Sequence, residues 1–359
     1  MHDIVKEDME YITSQPLPWS DFCGKTVLIS GANGFLPAYM VETLLFLNET
    51  YKGSDKIKVI GIVRNKDKAL AKFSDYINRP DFSLLVQDVT QPISVDGPVD
   101  YIIHAASQAS PKFYGQDPVG TLSANVLGTH NLLGLAKAKQ VKGFLFFSSG
   151  EVYGEVSQEC VPTREQDYGY VDPVNVRSCY AESKRMGENM CVSWYHQFGI
   201  PIKIVRPFHT YGPGMSLDDG RVYADFVSDI VHGRNIVMKS SGEATRAFCY
   251  LADATLGFFT VLLQGKQGEA YNVGSDREIS ILQVAQTLVS LYPEKGLELI
   301  QESRVETGGY IASKISRACP DISKSRSLGW EPKFSLEEGF NRTIRSCQSH
   351  ETTRTSVEI

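Results

Sequence analysis

Short, nearly continuous apolar runs alternate with longer segments of helical periodicity over the first two-thirds of the chain. The runs lie at 25–30, 58–63, 83–87, 101–104, 143–148 and 202–206. Apolar residues recur at helical spacing between them, at 39–47, 120–137 and 181–198. Strands that are apolar throughout and alternate with helices are typical of a parallel sheet covered on both faces. The predicted fold class is therefore α/β, with a doubly wound parallel sheet.

The pattern changes at both ends of this region. Residues 1–22 are polar and carry two prolines, which predicts an N-terminal arm that lies on the surface or is loose. Beyond residue 211 the rhythm is less regular, with helical patterns at 281–291 and 336–347. We expect a first domain over 23–211, a smaller lobe over 212–348 from which some chain returns to the sheet, and a flexible tail over 349–359.

Charge and composition exclude several classes of function. The 359 residues contain 36 basic and 42 acidic side chains, a net charge of −6 that gives no footprint for nucleic acid or an anionic membrane. Apolar stretches fall short of the ~18 residues needed to span a bilayer, and the polar start lacks the apolar region of a signal peptide. Seven scattered cysteines without a C-x-x-C pair predict neither disulfides nor a metal site, so a cytoplasmic location is expected.

A glycine-containing turn joins the first predicted strand to the first helix of the sheet region. In this context Gly31 and Gly34 favour binding of a dinucleotide pyrophosphate at the helix N-terminus over an ordinary tight turn. Pro37 stands where a third glycine is usual. After the second strand Arg64 replaces the usual acidic residue, so it could hold the 2′-phosphate of NADP or be a solvated surface side chain. Asp88, after the third strand, could reach an adenine or cap a turn.

The most informative pair in the sequence is Tyr180 and Lys184. Their spacing of four residues puts the phenol and the ammonium on one face of a helix. A tyrosine is a poor base at neutral pH unless a nearby positive charge stabilises its phenolate. Ser149 follows a strand end about thirty residues earlier and could share the proton of a substrate alcohol with Tyr180. A Tyr-x-x-x-Lys alone is common by chance, and its position after this strand is what favours catalysis.

Six further segments extend these motifs. They are HAASQASP (104–111), NVLGTHNLLGLAK (125–137), RSCYAESKR (177–185), DDGRV (218–222), TRAFCYLAD (245–253) and LGWEP (328–332). Over 24–344 the chain resembles the extended short-chain dehydrogenase/reductase family of nucleotide-sugar epimerases, dehydratases and decarboxylases, and within it the UDP-glucuronate decarboxylases. The resemblance implies a Rossmann-type doubly wound parallel sheet that binds NAD, and a smaller C-terminal α/β substrate lobe. It also implies a nucleoside-diphosphate sugar as partner and a homodimer.

The resemblance also implies roles for individual residues. Tyr180 would be the catalytic base, Lys184 its partner, Ser149 the hydroxyl partner and Glu151 the acid near C5 of the sugar. The implied cofactor contacts are Gly31, Gly34, Phe35, Leu36, Arg64, Asp88, Val89, Ala105, Ala106, Ser107, Asn125, Ser148, Tyr180, Lys184 and His209. The implied substrate contacts are Lys112, Arg177, Arg221, Arg246 and Arg317. For Glu151 and the arginines, a solvated carboxylate and surface ion pairs are the alternatives.

The chemistry common to this family is oxidation of the sugar C4 to a ketone, after which decarboxylation, 4,6-dehydration or 4-epimerisation can follow. Several positions depart from the decarboxylase pattern. Gly150 lacks the side chain usual between the hydroxyl and the acid, and Ala318 stands where an arginine is usual, with Arg317 one position away. His209 replaces an asparagine and is either a ligand contact or a buried, hydrogen-bonded histidine. A catalytically silent dinucleotide-binding sensor is the alternative of another class.

Overall fold

The computed structural model describes residues 1–50, 55–238, 240–302 and 316–355. Its helices are α1 (Asp3–Ser14), α2 (Phe35–Thr50), α3 (Lys66–Lys72), α4 (Lys112–Gln116), α5 (Pro118–Lys139), α6 (Cys179–Phe198), α7 (Val222–Val231), α8 (Leu251–Gln264), α9 (Ile281–Ser290), α10 (Ser323–Arg326) and α11 (Leu336–Thr355). Within the described ranges, no helix has the length and apolar character needed to cross a membrane.

Seven strands form the main sheet in the order β11-β6-β5-β4-β1-β2-β3, and every neighbouring pair is parallel. The strands in chain order are β1 (Thr26–Ser30), β2 (Lys58–Val63), β3 (Phe82–Val86), β4 (Tyr101–His104), β5 (Gly143–Phe147), β6 (Ile202–Pro207), β7 (Thr210–Tyr211), β8 (Ile236–Met238), β9 (Thr245–Ala247), β10 (Cys249–Tyr250), β11 (Ala270–Val273), β12 (Glu278–Ser280), β13 (Leu299–Gln301) and β14 (Arg317–Ala318). The predicted fold class is confirmed.

Both faces of the main sheet are covered, as its apolar strands require. Val27 and Ile29 belong to a large cluster with side chains from α1, α2, α8 and α11, whereas Leu28 between them belongs to a second cluster with α5 and α6. Strand β5 divides in the same way, with Leu145 in the first cluster and Phe146 in the second. The alternation follows from the two-residue period of a strand.

Local sequence explains where α5 begins and where α6 ends, the two helices that cover the Leu28 face of the main sheet. Pro118 opens α5, and the side chain of Asp117 accepts a hydrogen bond from the Gly120 amide at 3.0 Å. Proline suits this place because its missing N–H would have no partner in the first turn. Helix α6 ends at Gly199, which adopts φ +69° and supplies the left-handed conformation that closes many helices.

The two chain ends differ from the prediction. Residues 1–22, expected to form an arm that lies on the surface or is loose, contain α1, whose side chains Ile4, Met9 and Ile12 are buried in the core. These three apolar residues and Asp8 form the buried face of the helix, although the segment is polar on average. At the other end α11 continues to Thr355, through most of the predicted tail, and residues 356–359 lie outside the described ranges.

Asp8 of α1 is fully buried and ties this helix to the rest of the molecule. Its carboxylate accepts hydrogen bonds from Tyr39 at 2.8 Å, Tyr250 at 2.7 Å and Arg342 at 2.7 Å. Burial raises the pKa of Asp8, and the hydrogen bonds and the charge of Arg342 act in the opposite direction. A buried carboxylate needs such partners, and here they come from α2, β10 and α11.

The chain beyond residue 211 builds a smaller layer of short strands beside the carboxyl edge of the main sheet. Strands β12, β9 and β14 form one small sheet, and β8 pairs with β13. Between β10 and β12 in the chain, β11 lies in the main sheet and pairs with β6. Asp219 and Arg221 of this region hydrogen-bond Ser110 and Ala109, which follow β4.

Candidate active site

Most of the predicted site residues lie at one edge of the main sheet. Because the strands are parallel, the segments that follow β1 to β6 leave from the same edge, and these segments carry Gly31, Arg64, Asp88, Ala105 and Ser148. The strands that follow β1 in the chain, β2 and β3, lie on one side of it, whereas β4, β5 and β6 lie on the other, so the strand order reverses between the parallel neighbours β1 and β4. Ligands of open α/β sheets bind in the crevice that such a reversal creates.

The turn after β1 has the close packing expected of a dinucleotide site. Gly31 adopts φ +67°, and a Cβ atom there would lie 2.7 Å from the Cα of Ala106. The Gly34 amide donates to the Gly31 carbonyl at 2.8 Å, and α2 begins at the next residue, Phe35, followed by Leu36. Only glycine fits the first position without moving backbone atoms.

Pro37 lies in the first turn of α2 and leaves the helix intact. The first ladder bond of the helix runs from the Ala38 amide to the Gly34 carbonyl at 3.0 Å. Amides before this bond have no partner within the helix, so a proline among them removes none of its hydrogen bonds. The substitution therefore removes one N–H from the helix N-terminus without blocking the turn.

Two buried polar atoms near this turn lack a hydrogen-bond partner among the described residues. They are Oγ of Ser107, after β4, and Oδ1 of Asn125 on α5, whose Nδ2 donates to Ser183 at 2.9 Å. Buried polar atoms are normally paired. These atoms and the glycine turn together fit a bound dinucleotide, which would supply the missing partners.

His104 fixes the ends of β1 and β4 relative to each other. The Oγ atom of Ser30 lies 2.8 Å from His104 Nδ1 and accepts hydrogen bonds from the amides of Ala105 and Ala106. The other ring nitrogen of His104, Nε2, lies 3.1 Å from Thr129 Oγ1. Burial, together with the positive charge of Lys184, lowers the pKa of His104 to about 3. The neutral ring therefore serves as a connector between strands rather than as an acid or base.

Tyr180, Lys184 and Ser149 come together as predicted from their spacing. The Ser149 hydroxyl hydrogen-bonds the Tyr180 phenol, and Lys184 Nζ lies 5.7 Å from the centroid of its ring and donates to the Phe147 carbonyl at 2.6 Å. Burial raises the pKa of Tyr180 to about 12, against the hydrogen bond from Ser149. Burial lowers the pKa of Lys184 to about 7. The pair thus occupies a dry site in which each charge strongly affects the other.

Tyr114 on α4 covers the ring of Tyr180, and this contact was not predicted from the sequence. Its ring stacks on Tyr180 with centroids 5.1 Å apart and planes 15° apart, and its hydroxyl donates to the Ala109 carbonyl at 3.0 Å. No spacing or motif marks this tyrosine, because the contact joins residues that are far apart in the chain. Tyr114 contributes to the burial that raises the pKa of Tyr180.

Glu151 and Arg177 form a pair beside this centre. Arg177 Nη1 lies 3.2 Å from Glu151 Oε2, and Nη2 lies 3.4 Å from Oε1. The Arg177 guanidinium also lies 5.8 Å from the centroid of the Tyr114 ring. Glu151 sits in a short 3-10 helix, Gly150–Tyr153, which Ser149 caps by accepting the Glu151 amide at 3.2 Å. A Cβ on Gly150 would meet the Phe208 ring at 3.1 Å, so this ring covers the glycine.

Two of the predicted substrate contacts, Arg221 and Arg246, lie in the chain beyond residue 211, and a third, Lys112 on α4, faces that part of the chain. Arg221 donates to Tyr223 at 3.1 Å and to the Ala109 carbonyl at 3.2 Å, and its charge acts on the pKa of Tyr180. Arg246 donates to the Ser316 carbonyl at 3.1 Å. Lys112 makes an ion pair of 3.7 Å with Asp218.

Arg317 is not brought to these residues. In the register of β14 with β9, Arg317 lies opposite Thr245 and Ala318 lies opposite Arg246. Neighbouring residues of a strand point to opposite faces, so Arg317 and Arg246 face away from each other. Arg317 instead pairs with Glu278, with contacts of 2.9 and 2.7 Å. The one-residue displacement seen in the sequence therefore turns this arginine to the other face of the small sheet.

The remaining predicted residues have mixed surroundings. Arg64 is exposed, and its positive charge contributes to lowering the pKa of Asp117. Asp88 caps a turn by accepting a hydrogen bond from the Thr90 amide at 2.9 Å. Val89 packs against Gly128. The Nδ1 of His209 is buried and has no partner among the described residues. Burial lowers the pKa of His209 to about 3, with the charges of Arg246 and Arg221 in the same direction, so the ring is neutral.

Comparison with known proteins decides the family. The sequence profile of the NAD dependent epimerase/dehydratase family matches residues 27–274. The chain belongs to this family. It is 35% identical over 329 residues to UDP-glucuronic acid decarboxylase 3 of Arabidopsis thaliana, covering 90% of both chains. It is also 35% identical over 322 residues to UDP-glucuronic acid decarboxylase 1 of Xenopus tropicalis, covering 89% of this chain and 71% of the relative.

Solved structures of the family share the fold. The UDP-glucose 4-epimerase of Thermotoga maritima superposes with a TM-score of 0.76 at 22% identity, over 91% of this chain and 99% of the epimerase. The UDP-glucuronic acid 4-epimerase of Bacillus cereus, solved with UDP-glucuronic acid and NAD, gives 0.73 at 22% identity, over 90% and 99%. The resemblance predicted from the sequence is confirmed, and NAD is the cofactor of this epimerase/dehydratase family member. Within the described ranges, no three His, Cys, Asp or Glu side chains are grouped to hold a metal ion.

Proposed function

We propose that this family member is a UDP-glucuronate decarboxylase that works through a transient ketone at C4 of the sugar. The observation that carries the proposal is the grouping of Tyr180, Lys184 and Ser149 beside the glycine turn, in a chain whose relatives of about 35% identity are UDP-glucuronic acid decarboxylases. An intact proton-transfer group also argues against a silent dinucleotide-binding protein.

The cofactor, when bound, accepts a hydride from C4 and later returns it. Tyr180 takes the proton of the C4 hydroxyl, and the hydrogen bond from Ser149 stabilises the charge that develops on the phenol oxygen. The ammonium of Lys184, 5.7 Å from the centroid of the Tyr180 ring, also lowers the energy of this phenolate. Tyr114 excludes water from the ring face, which strengthens both interactions.

The ketone makes the C5 carboxyl group a β-keto acid, which loses carbon dioxide and leaves an enolate that must be protonated at C5. The Glu151 carboxylate follows Ser149 by two residues, acts electrostatically on Tyr180 and lies in ion-pair contact with Arg177. We assign Glu151 to the step at C5, and Arg177 to charge compensation there. Arg221, Arg246 and Lys112 supply positive charge for the diphosphate.

A 4,6-dehydratase or 4-epimerase is the second candidate, and one observation favours it. Ala318 occupies the face shared with Arg246, while Arg317 is held on the opposite face by Glu278. The chain thus lacks the arginine that the decarboxylase pattern places there, and recognition of a sugar carboxylate depends on other residues. Gly150 has no acidic side chain to assist loss of water from the sugar, so in a dehydratase Glu151 would be the single acidic residue for this step.

Mass spectrometry of nucleotide sugars after incubation tests the proposal. UDP-glucuronate, UDP-glucose, dTDP-glucose and GDP-mannose are incubated separately with the purified protein. Decarboxylation predicts loss of carbon dioxide from UDP-glucuronate alone, whereas loss of water or isomerisation without a mass change identifies the second candidate. No turnover of any of the four contradicts both. The mass of the dinucleotide that co-purifies shows in the same samples whether Arg64 also admits NADP.

We also propose a homodimer in the cytoplasm. Helices α5 and α6 together expose Leu127, Met186, Val192 and Phe198, which is the kind of apolar face that a second subunit covers. No disulfide joins the cysteines of the described ranges, as a reducing compartment favours. Light scattering of the purified protein measures the subunit number, and a monomeric mass at micromolar concentration contradicts the dimer.

A further inference from the structure

Helix α6 carries a third ionisable residue on the face that holds the catalytic pair. Glu188 follows Lys184 by four residues, as Lys184 follows Tyr180, so the three side chains form one stripe along the helix. All three are buried, with 6%, 2% and 8% of Tyr180, Lys184 and Glu188 exposed. A carboxylate buried to this degree next to a catalytic ammonium needs a physical explanation.

The partners of Glu188 come from the ends of two central strands. Oε1 accepts the Ser148 hydroxyl at 2.5 Å and Arg206 Nε at 2.8 Å, and Oε2 accepts Arg206 Nη2 at 2.6 Å. Arg206 is itself buried, and donates to the hydroxyls of Tyr153 at 2.9 Å and Tyr168 at 2.7 Å. The carboxylate is therefore fixed by a bidentate pair and a serine rather than by water.

The carboxylate acts on the charge of Lys184. Burial lowers the pKa of Lys184 to about 7, and the charge of Glu188 acts in the opposite direction. The other titratable groups that face Lys184 are Cys191, His104 and Tyr180; burial raises the pKa of the thiol and the phenol and lowers that of the imidazole, so all three are neutral near pH 7. The positive charge of Arg206, which is paired with Glu188, partly offsets the effect of the Glu188 carboxylate on Lys184. Glu188 is the group here that favours the ammonium.

The same carboxylate holds the backbone on which the catalytic hydroxyl stands. Ser148, its hydrogen-bond donor, lies between Phe147, whose carbonyl accepts Lys184, and Ser149, which hydrogen-bonds Tyr180. A displacement of Ser148 would move both neighbours at once. Glu188 therefore affects Lys184 through its charge, and Ser149 and its partner Tyr180 through Ser148. It does so without a role in binding the substrate.

We propose that Glu188 is a positioning residue of the catalytic centre, which keeps Lys184 as an ammonium and fixes Ser148 so that Ser149 and the Phe147 carbonyl stay in place. The kinetic part of this proposal rests on the proposed function. Its electrostatic part does not, because the protonation of Lys184 can be measured in the protein without substrate.

The test is Glu188→Gln, which keeps the shape of the side chain and removes its charge. In protein labelled with ¹³C at lysine Cε, and with the Lys184 signal assigned through Lys184→Met, the titration of Lys184 is expected to move to lower pH by about one unit. In the pH profile of kcat, the alkaline limb moves in the same direction, because the ammonium is lost earlier, while KM changes little. Glu182→Gln on the same helix, where the carboxylate lies 3.6 Å from Arg185, is the matched control.

Glu188→Gln leaves Arg206 buried without its ion pair and could prevent folding. The double variant Glu188→Gln with Arg206→Met removes both charges, and Ser148→Ala removes one hydrogen bond while the ion pair remains. The double variant is expected to show the same Lys184 shift, and Ser148→Ala is expected to lower kcat about tenfold with an unchanged Lys184 titration. A Lys184 titration and kcat profile equal to those of Glu182→Gln overturn the proposal. Wild-type protein without turnover contradicts only the proposed function.

Discussion

Replacing Tyr180 by phenylalanine removes one oxygen atom from the centre and tests the proton-transfer step directly. The ring remains, so its stacking on Tyr114 and its place on α6 are retained. The Ser149 hydroxyl loses its partner, and the path for the proton of the C4 alcohol is interrupted. We expect the dinucleotide to stay bound, because the glycine turn and the Ser107–Asn125 region are not altered.

The size of the effect follows from the surroundings of the phenol. Its pKa of about 12 means that forming the phenolate at pH 7 costs about 7 kcal/mol in the free protein, at 1.36 kcal/mol per pH unit. Lys184 and the positive charge of an oxidised nicotinamide must offset most of this cost when the site is loaded. General base catalysis of this kind contributes about 10²- to 10⁴-fold, so kcat of Tyr180→Phe is expected to fall by at least a hundredfold.

The assay follows conversion of the nucleotide sugar by mass spectrometry, and absorbance of the reduced nicotinamide in single-turnover mixtures. Tyr170→Phe is the control, since Tyr170 is exposed and loses the same atom. The expected variant binds dinucleotide and nucleotide sugar, shows no reduced cofactor and gives no product. If Tyr180→Phe keeps more than a tenth of wild-type kcat, another group takes the proton and the assignment of the base is wrong.

Two further substitutions test the cofactor turn and the displaced arginine. Gly31→Ala costs about 1–2 kcal/mol for its left-handed backbone and adds a clash with backbone atoms, so purified protein is expected to lack its dinucleotide, whereas Gly134→Ala in open space on α5 keeps it. Dinucleotide retained by Gly31→Ala would contradict the turn as its site. Arg317→Ala should leave KM unchanged and lower the free energy of unfolding by up to about 1 kcal/mol. Because Arg317 lowers the pKa of Glu278, the loss of unfolding free energy is present at neutral pH and disappears as the pH falls through the pKa of this carboxyl group in the folded protein. A tenfold rise in KM of Arg317→Ala would instead place Arg317 in the substrate site.

Most of the main sheet could be predicted from sequence because its central strands β1, β4 and β5 are buried throughout and read as short, nearly continuous apolar runs. Strands β2 and β4 have the predicted bounds, β1, β5 and β6 differ by one residue at one end, and β3 is shifted by one residue. Strand β11 was not among the predicted runs, and only a return of some chain to the sheet was expected. That Tyr180 and Lys184 share one helical face could be predicted for a similar reason, since their spacing is a local property. Glu188 extends the same spacing by one more turn, and this signal was available in the sequence.

Features that depend on contacts between distant residues could not be predicted. Helix α1 is polar on average, and its burial depends on Asp8 finding Arg342, more than three hundred residues away. Tyr114 stacks on Tyr180 across two separate helices. The orientation of Arg317 is set by the pairing of a two-residue strand, which is too short to give a hydrophobic pattern of its own.

The first helix has a consequence for how this protein can be shortened. The family profile begins at residue 27, and a truncation at that boundary looks safe by sequence alone. It would delete Asp8, leaving Tyr39, Tyr250 and the guanidinium of Arg342 without their shared acceptor in the interior. The residues before the conserved region therefore act as part of the folding unit, and the enzyme's minimal boundary lies at its first helix.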